Sequence, residues 1–186
     1  PQPGSHNAAN AAAVAALLDA AGFDYLDVLR ALEDFPGVGR RFQKIAYIRG
    51  INVYDDYAHH PTELAAVLEG ARSFFDGARL VAVFQPHQYS RTRLMLEDFA
   101  RALKDWDEVV IPPIYRARDT EEAVKAVSSE DLAARINDIG GSARAAGSLE
   151  EAAAIAATLA EEGDAVFTLG AGDVYRAASM LASRIE

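Results

Sequence analysis

Two hydrophobic rhythms divide this chain. Up to about residue 38 the apolar positions follow helical spacing. The alanine-rich run 8–21 has high helix propensity; Ser5 before it can cap a helix, and Gly22 after it can end one. A second helix is predicted at 25–33, with Leu26, Leu29 and Leu32 on one face. Phe35-Pro36-Gly37-Val38-Gly39 then breaks the periodicity and reads as a linker, followed by Arg40, Arg41 and Phe42. From Gln43 onward the rhythm changes to short apolar runs alternating with amphipathic stretches. Strands are predicted at 44–48, at 52–54 within an extended run from Ile51 to Asp55, at 80–84 (LVAVF), 108–111 (EVVI), weakly at 143–145, and at 165–169 (AVFTL). Helices are predicted at 61–74, opening on Pro61, and at 92–104. Others follow Ser128 and Ser148, which form capping-box patterns with Asp131 and Glu151, and a last helix closes the chain to about Arg184. Strands alternating with helices of this length predict an α/β fold with a mostly parallel, doubly wound sheet and right-handed crossovers. A short helical piece precedes it.

Composition changes this picture mainly by exclusion. A chain of 186 residues can bury one substantial core and carry a small appendage. No run approaches the roughly 18 apolar residues of a membrane span, and no signal pattern is visible. Cysteine is absent, which excludes disulfides and thiolate metal ligands and fits a reducing, cytoplasmic setting. The net charge of -10 argues against a nucleic-acid partner. The acidity is concentrated at 119–164, where 3 basic and 11 acidic residues give -8, whereas 38–93 holds 8 basic and 5 acidic residues, +3, and three histidines. The region richest in motifs is therefore locally electropositive, as a site for anionic ligands should be.

Chemistry-bearing residues crowd three corners, each following a predicted strand. YDDYAHHPTE (54–63) sets Asp55, Asp56, Tyr57, His59 and His60 before a helix start; FQPHQYSRT (84–92) carries Gln85, His87, Tyr89, Ser90 and Arg91; LGAGD (169–173) ends the last strand. In a parallel sheet these corners fall on one edge, the edge at which open α/β sheets bind ligands. Adjacent histidines point apart, so one of His59 and His60 is expected to cap or pack while the other faces a ligand. They lack the i, i+4 spacing of a helical zinc pair, and no metal site is expected. Asp55 and Asp56 suit either a general acid–base pair or a carboxylate that holds a ribose. Arg91 sits poorly at the positive end of a helix dipole, which calls for an anionic partner. GAGD resembles the start of GxGxxG, but Tyr175 takes the third glycine's place, so a dinucleotide-dependent oxidoreductase is disfavoured and a tight glycine turn explains the motif as well. The chain contains no GxxxxGK[ST] phosphate loop and no GxSxG elbow. Near the start, His6, Asn7 and Asn10 stand out in an alanine helix. Asn7 and Asn10 share a face, and two amides can read a base edge or simply cap the helix.

Taken in order and spacing, PGSHNAANAAA, FPGVGRRF, DDYAHHPTE, FQPHQYSRT and GAGD resemble the Mur ligases, in particular the branch that attaches L-alanine to UDP-N-acetylmuramate. The resemblance covers the whole chain but only about the last two-fifths of such an enzyme. It implies that residues 1–38 are the end of a central ATPase domain, whose remainder and the N-terminal uridine-nucleotide domain lie outside this chain. Residues 39–186 are implied to be a Rossmann-like C-terminal domain. The implied reaction is ATP-dependent: the substrate carboxylate takes the γ-phosphoryl group, and the amine of L-alanine displaces phosphate from the acyl phosphate. By resemblance His6, Asn7 and Asn10 line the adenine pocket and Asp56 holds the ribose. Arg40 or Arg41 reaches phosphate or acyl-phosphate oxygens. Tyr57, His59, His87 and Arg91 form the alanine pocket, with Arg91 on the carboxylate and His87 near the amine. Magnesium is implied with ATP, its ligands mainly outside this chain. Gln88 departs from the arginine that many members carry there, which removes one expected cation. The chain is expected to be inactive by itself. The alternative is a non-catalytic α/β docking module; the two readings differ in whether Asp56, His59, His87 and Arg91 share one crevice.

Overall fold

The computed structural model describes residues 5–185, with side chains from residue 7 onward. Two helices come first, α1 (Ser5–Ala20) and α2 (Tyr25–Glu33). Asp24 caps α2, its carboxylate accepting the N–H groups of Leu26 at 3.0 Å and Asp27 at 3.1 Å. Little of this pair is covered: Leu17 is 70% exposed, Phe23 60% and Leu26 60%.

The rest is an α/β sandwich around a six-stranded sheet. The strands are β1 (Gln43–Ile48), β2 (Ile51–Asp56), β3 (Leu80–Phe84), β4 (Glu108–Ile111), β5 (Ala143–Ala145) and β6 (Ala165–Leu169), in the order β1-β2-β6-β3-β4-β5. β1 and β2 form an antiparallel hairpin joined by Arg49 and Gly50, both at positive φ (48° and 79°), as a type I′ turn requires. Every other pairing is parallel. Successive strand side chains point to opposite faces, and both faces are covered. Tyr54, Leu80, Ala82, Phe84, Val109, Ile111 and Phe167 face one side, under α3 (Pro61–Phe74), α5 (Leu96–Leu103) and α7 (Ser129–Asp138). Ile51, Val53, Val81, Val83, Val110 and Val166 face the other, under α8 (Leu149–Leu159) and α9 (Tyr175–Ile185). A sheet buried on both faces explains why LVAVF and AVFTL are continuously apolar rather than alternating.

Four local expectations change. β2 runs to Asp56, one residue past the extended run expected at 51–55, so Asp56 as well as Asp55 lies on the strand. The helix expected at 92–104 is two helices, α4 (Tyr89–Leu94) and α5, broken at Met95 (φ -112°, ψ 22°). The break lets α5 bury Phe99, Ala100 and Leu103, whereas α4 buries Thr92 and leaves Leu94 85% exposed. A short α6 (Glu121–Val124), capped by Thr120, was not anticipated. The capping box at Ser128 stands where expected, Asp131 N–H donating to the hydroxyl at 3.2 Å and its carboxylate accepting from Ser128 N at 2.8 Å. Ser148 caps α8 by accepting from Glu151 N at 3.1 Å, but the Glu151 carboxylate accepts from Gly147 N at 2.7 Å, so the second box is not closed.

Candidate functional site

The chain steps outward through β2, β3, β4 and β5, then returns to insert β6 between β2 and β3. Asp56 is in register with Leu169, and Leu169 with Phe84, so these three strands end level. The three polar corners therefore open side by side, with LGAGD in the middle, at the reversal of strand order where α/β sheets hold ligands.

The corner after β2 is largely occupied by internal partners. Asp55, 1% exposed, accepts from Thr168 Oγ1 at 2.6 Å and from Arg40 Nε at 2.8 Å. The other Arg40 nitrogens donate to the carbonyls of Gly170 at 2.7 Å and Gly172 at 3.3 Å, and its guanidinium lies 5.1 Å from the Tyr57 ring and 5.0 Å from the Tyr175 ring. Of the two roles open to the aspartates, Asp55 thus takes neither: it is the counter-ion of Arg40. Asp56 accepts backbone N–H groups from Phe42 at 2.7 Å and Ala58 at 2.8 Å. Burial pushes its pKa up; the two N–H donors and the charge of Arg41 offset this only in part. The two histidines point apart, and one of them caps, as expected. His60 caps α3, with Nδ1 2.9 Å from Thr62 Oγ1. Glu63 completes the capping box by accepting the backbone N–H groups of His59 at 2.9 Å and His60 at 3.0 Å. The His59 ring turns the other way, toward Tyr57 at 5.4 Å and His87 at 6.5 Å.

The corner after β3 is held differently. His87 stacks on Tyr115 at 5.3 Å with planes 13° apart, and its buried Nδ1 has no hydrogen-bond partner among the described residues. Burial first, then the nearby charges of Arg91 and His59, lower the pKa of His87; Asp119 opposes them. The imidazole is therefore neutral near pH 7. Among the described residues the half-buried Arg91 guanidinium makes no hydrogen bond or ion pair. Asp119, from outside the motif, places an acid at this helix start, accepting from Tyr89 N at 2.7 Å, Ser90 N at 3.1 Å and Ser90 Oγ at 2.7 Å. Gln88, at φ 72°, makes no side-chain cap; its N–H donates to Tyr115 O at 2.9 Å.

LGAGD is a packing device. A Cβ on Gly170 (φ 143°) would lie 2.7 Å from Gln85 O, and one on Gly172 2.5 Å from Gln85 Oε1 and 2.8 Å from the Tyr115 ring. Its carbonyls, as described, receive Arg40.

Beside these corners a cavity of about 1030 Å³ opens between the α1–α2 pair and the start of α3. Asn7, Asn10, Arg41, Asp56, Thr62 and Glu63 give it polar groups, and Val28, Leu32 and Val67 give it apolar walls. Tyr57, His59, His87 and Arg91 form one run along the sheet edge. The single crevice expected for Asp56, His59, His87 and Arg91 is thus not seen: Asp56 lies in the adjoining cavity, and Arg41, 5.9 Å from the Tyr57 ring, stands at the boundary. The side chains of Ser5 and His6, expected to cap α1 and to meet adenine, lie outside the described residues.

Residues 40–172 match the family described as Mur ligase, glutamate ligase domain. The chain belongs to the Mur ligase family. A UDP-N-acetylmuramate–L-alanine ligase of Clavibacter michiganensis is 42% identical over 99% of this chain, which covers 38% of that protein. Another, from a Sulfurihydrogenibium species, is 39% identical over 99% of this chain and 40% of its own length. Among solved structures, the UDP-N-acetylmuramate–alanine ligase MurC of Thermotoga maritima superposes with a TM-score of 0.81 at 33% identity, covering 98% of this chain and 38% of that one. The chain thus spans about two-fifths of the length of the relatives it matches.

Beyond the motifs, Tyr115, Asp119 and Thr168 shape these corners, and no local pattern marks them. Each meets its partner across a long loop or a neighbouring strand, Asp119 from 29 or 30 positions beyond Ser90 and Tyr89 and Thr168 from 113 positions beyond Asp55.

Proposed function

We propose that this chain is the C-terminal part of a cytoplasmic UDP-N-acetylmuramate–L-alanine ligase, in which residues 39–186 bind the amino acid and, with residues 1–38, close one side of an ATP pocket. The observation that carries the reading is the adjacency of two unlike sites. A run of Tyr57, His59, neutral His87 and unpaired Arg91 adjoins a cavity lined by Asn7, Asn10, Arg41 and the buried Asp56. The 42% identity to a protein named UDP-N-acetylmuramate–L-alanine ligase supports these substrates.

The residues suit the task. Arg91 offers a charge-assisted, two-pronged grip for an amino-acid carboxylate. His87, neutral beside a cation, can take the proton that the attacking amine loses, and Tyr57 and His59 shape the pocket around it. Asn7 and Asn10 face a base with paired donors and acceptors, while Asp56 retains free lone pairs for ribose hydroxyls. Arg41 is the arginine proposed for phosphate or acyl-phosphate oxygens, because Arg40 is already engaged by Asp55 and two carbonyls. ATP would supply the phosphoryl group that activates the muramate carboxylate as an acyl phosphate, a mixed anhydride, with ADP released; this chain's residues would position the amine whose attack expels inorganic phosphate. Magnesium, implied with ATP, is proposed to find its ligands mainly in the rest of the polypeptide. No helix among the described residues is long and apolar enough to cross a membrane.

The test is phosphate release from ATP by the full-length polypeptide. Release is expected to require UDP-N-acetylmuramate together with L-alanine, and to be absent from the 186-residue chain alone, which has no phosphate loop. Turnover by the chain alone, or an equal rate with an unrelated amino acid, would overturn the reading.

A further inference from the structure

We infer that Arg40 is a positioning residue: it latches the linker onto the α/β domain and so aims Arg41 at the cavity. The linker before it is loose by composition, with Gly37 at φ 89° and Gly39 two residues on. The three residues that follow are over-determined. Arg40 (φ 59°) and Phe42 (φ 46°) both hold a left-handed backbone that side chains other than glycine rarely adopt. Such conformations persist only where the surroundings enforce them.

Those surroundings are explicit. Arg40 donates its backbone N–H to Gln43 Oε1 at 2.7 Å, and its carbonyl accepts from Tyr57 N at 2.7 Å. Its guanidinium spans Asp55 on β2 and the Gly170 and Gly172 carbonyls after β6, so one side chain ties the linker to two strand ends. Phe42 is fastened equally, its N–H on Asp56 and its ring against Tyr54, Phe74 and Phe167 at 5.1, 5.8 and 5.1 Å. Arg41, between two anchored neighbours, is held at the cavity wall. A lysine at position 40 could not serve, because one ammonium cannot present a planar fork to three divergent acceptors. The latch also draws on GAGD, whose Gly170 and Gly172 carbonyls receive the guanidinium.

The latch itself stands on geometry, and only the consequence for catalysis rests on the proposed ligase reading. In the full-length polypeptide, Arg40→Gln is expected to raise hydrogen exchange at the Phe42 and Tyr57 amides about tenfold or more, with β3 and β6 unchanged. It is expected to lower kcat about 10- to 100-fold through misplacement of Arg41, with KM for L-alanine within about twofold. Arg40→Lys should behave the same way. Adding Asp55→Asn to Arg40→Gln removes both members of the buried pair and should restore the melting temperature while kcat stays low. Recovery of kcat along with the melting temperature would reduce Arg40 to a stabilising residue and overturn the inference, as would unchanged exchange at Phe42 and Tyr57. A wild type that forms no L-alanine adduct would sink the ligase reading instead, and the exchange measurement would still decide the latch.

Discussion

The two corners that flank β6 are built from similar residues and put to opposite uses. After β2, nearly every polar group has a partner within the protein: Asp55 with Arg40 and Thr168, His60 with Thr62, Glu63 with two backbone N–H groups. After β3 the groups that matter are left open, Arg91 without a hydrogen bond among the described residues and His87 with an unpartnered Nδ1. The first corner is held mostly by bonds within the fold, and on the proposed reading it lends only Asp56, Tyr57 and His59 to ligands, whereas the second offers its open groups. Counting ionisable residues per loop would have ranked them the other way, because the β2 corner holds more. What separates them is satisfaction: a polar group already bonded inside the fold has little left to offer a substrate.

Substitutions should therefore separate stability from binding along this line. The largest effect is expected from Asp55→Ala, which strands the Arg40 guanidinium without its counter-ion. A loss of about 3 kcal/mol in unfolding free energy is expected, read by urea melts. A loss under about 0.5 kcal/mol would mean that the β2 corner is not scaffold. Arg91→Ala is next. KM for L-alanine in the full-length polypeptide should rise about 10- to 150-fold, the worth of a hydrogen bond to a charged group, while stability changes by less than about 0.5 kcal/mol. Equal increases in KM for ATP and for L-alanine would erase the distinction between the two sites.

The smallest effect concerns pH. Burial, Arg91 and His59 lower the pKa of His87, so the acid limb of kcat/KM should fall below the usual histidine value of about 6.5. Asp119 alone among the groups acting on His87 pulls the other way, and Asp119→Asn should shift the limb further down by less than about one pH unit. A shift upward would contradict the assignment. The same depressed pKa has a stability consequence of fixed sign. The unfolded chain binds the His87 proton more readily than the folded one, so this contribution is complete above about 6.5 and is lost as pH falls below it.

Much of this was legible in the chain. The continuous apolar runs 80–84 and 165–169 announce strands buried on both faces, and Pro61 with Glu63 announces the α3 start. The crowding of His87 and Arg91 after a buried strand marks the corner proposed for the amino acid. The break at Met95 was not legible, because 89–103 carries one helical rhythm, and only packing shows that its two parts bury different faces. Nor was the division between Asp55 and Asp56. Adjacent identical carboxylates look alike until the strand pleat sends them to different sides, one to Arg40 and Thr168, the other to Phe42 and Ala58.

The sequence by itself determined the α/β class, the three corners, the family and the residue types at the ligand edge, since these follow from local periodicity and short motifs. Only the tertiary structure decided that β6 inserts between β2 and β3, that Arg40 is engaged while Arg41 lines the cavity, and that Tyr115 and Asp119 complete the His87 corner. Those outcomes depend on contacts between residues as much as 132 positions apart, whose geometry is set by sheet order and not by any neighbour in the chain.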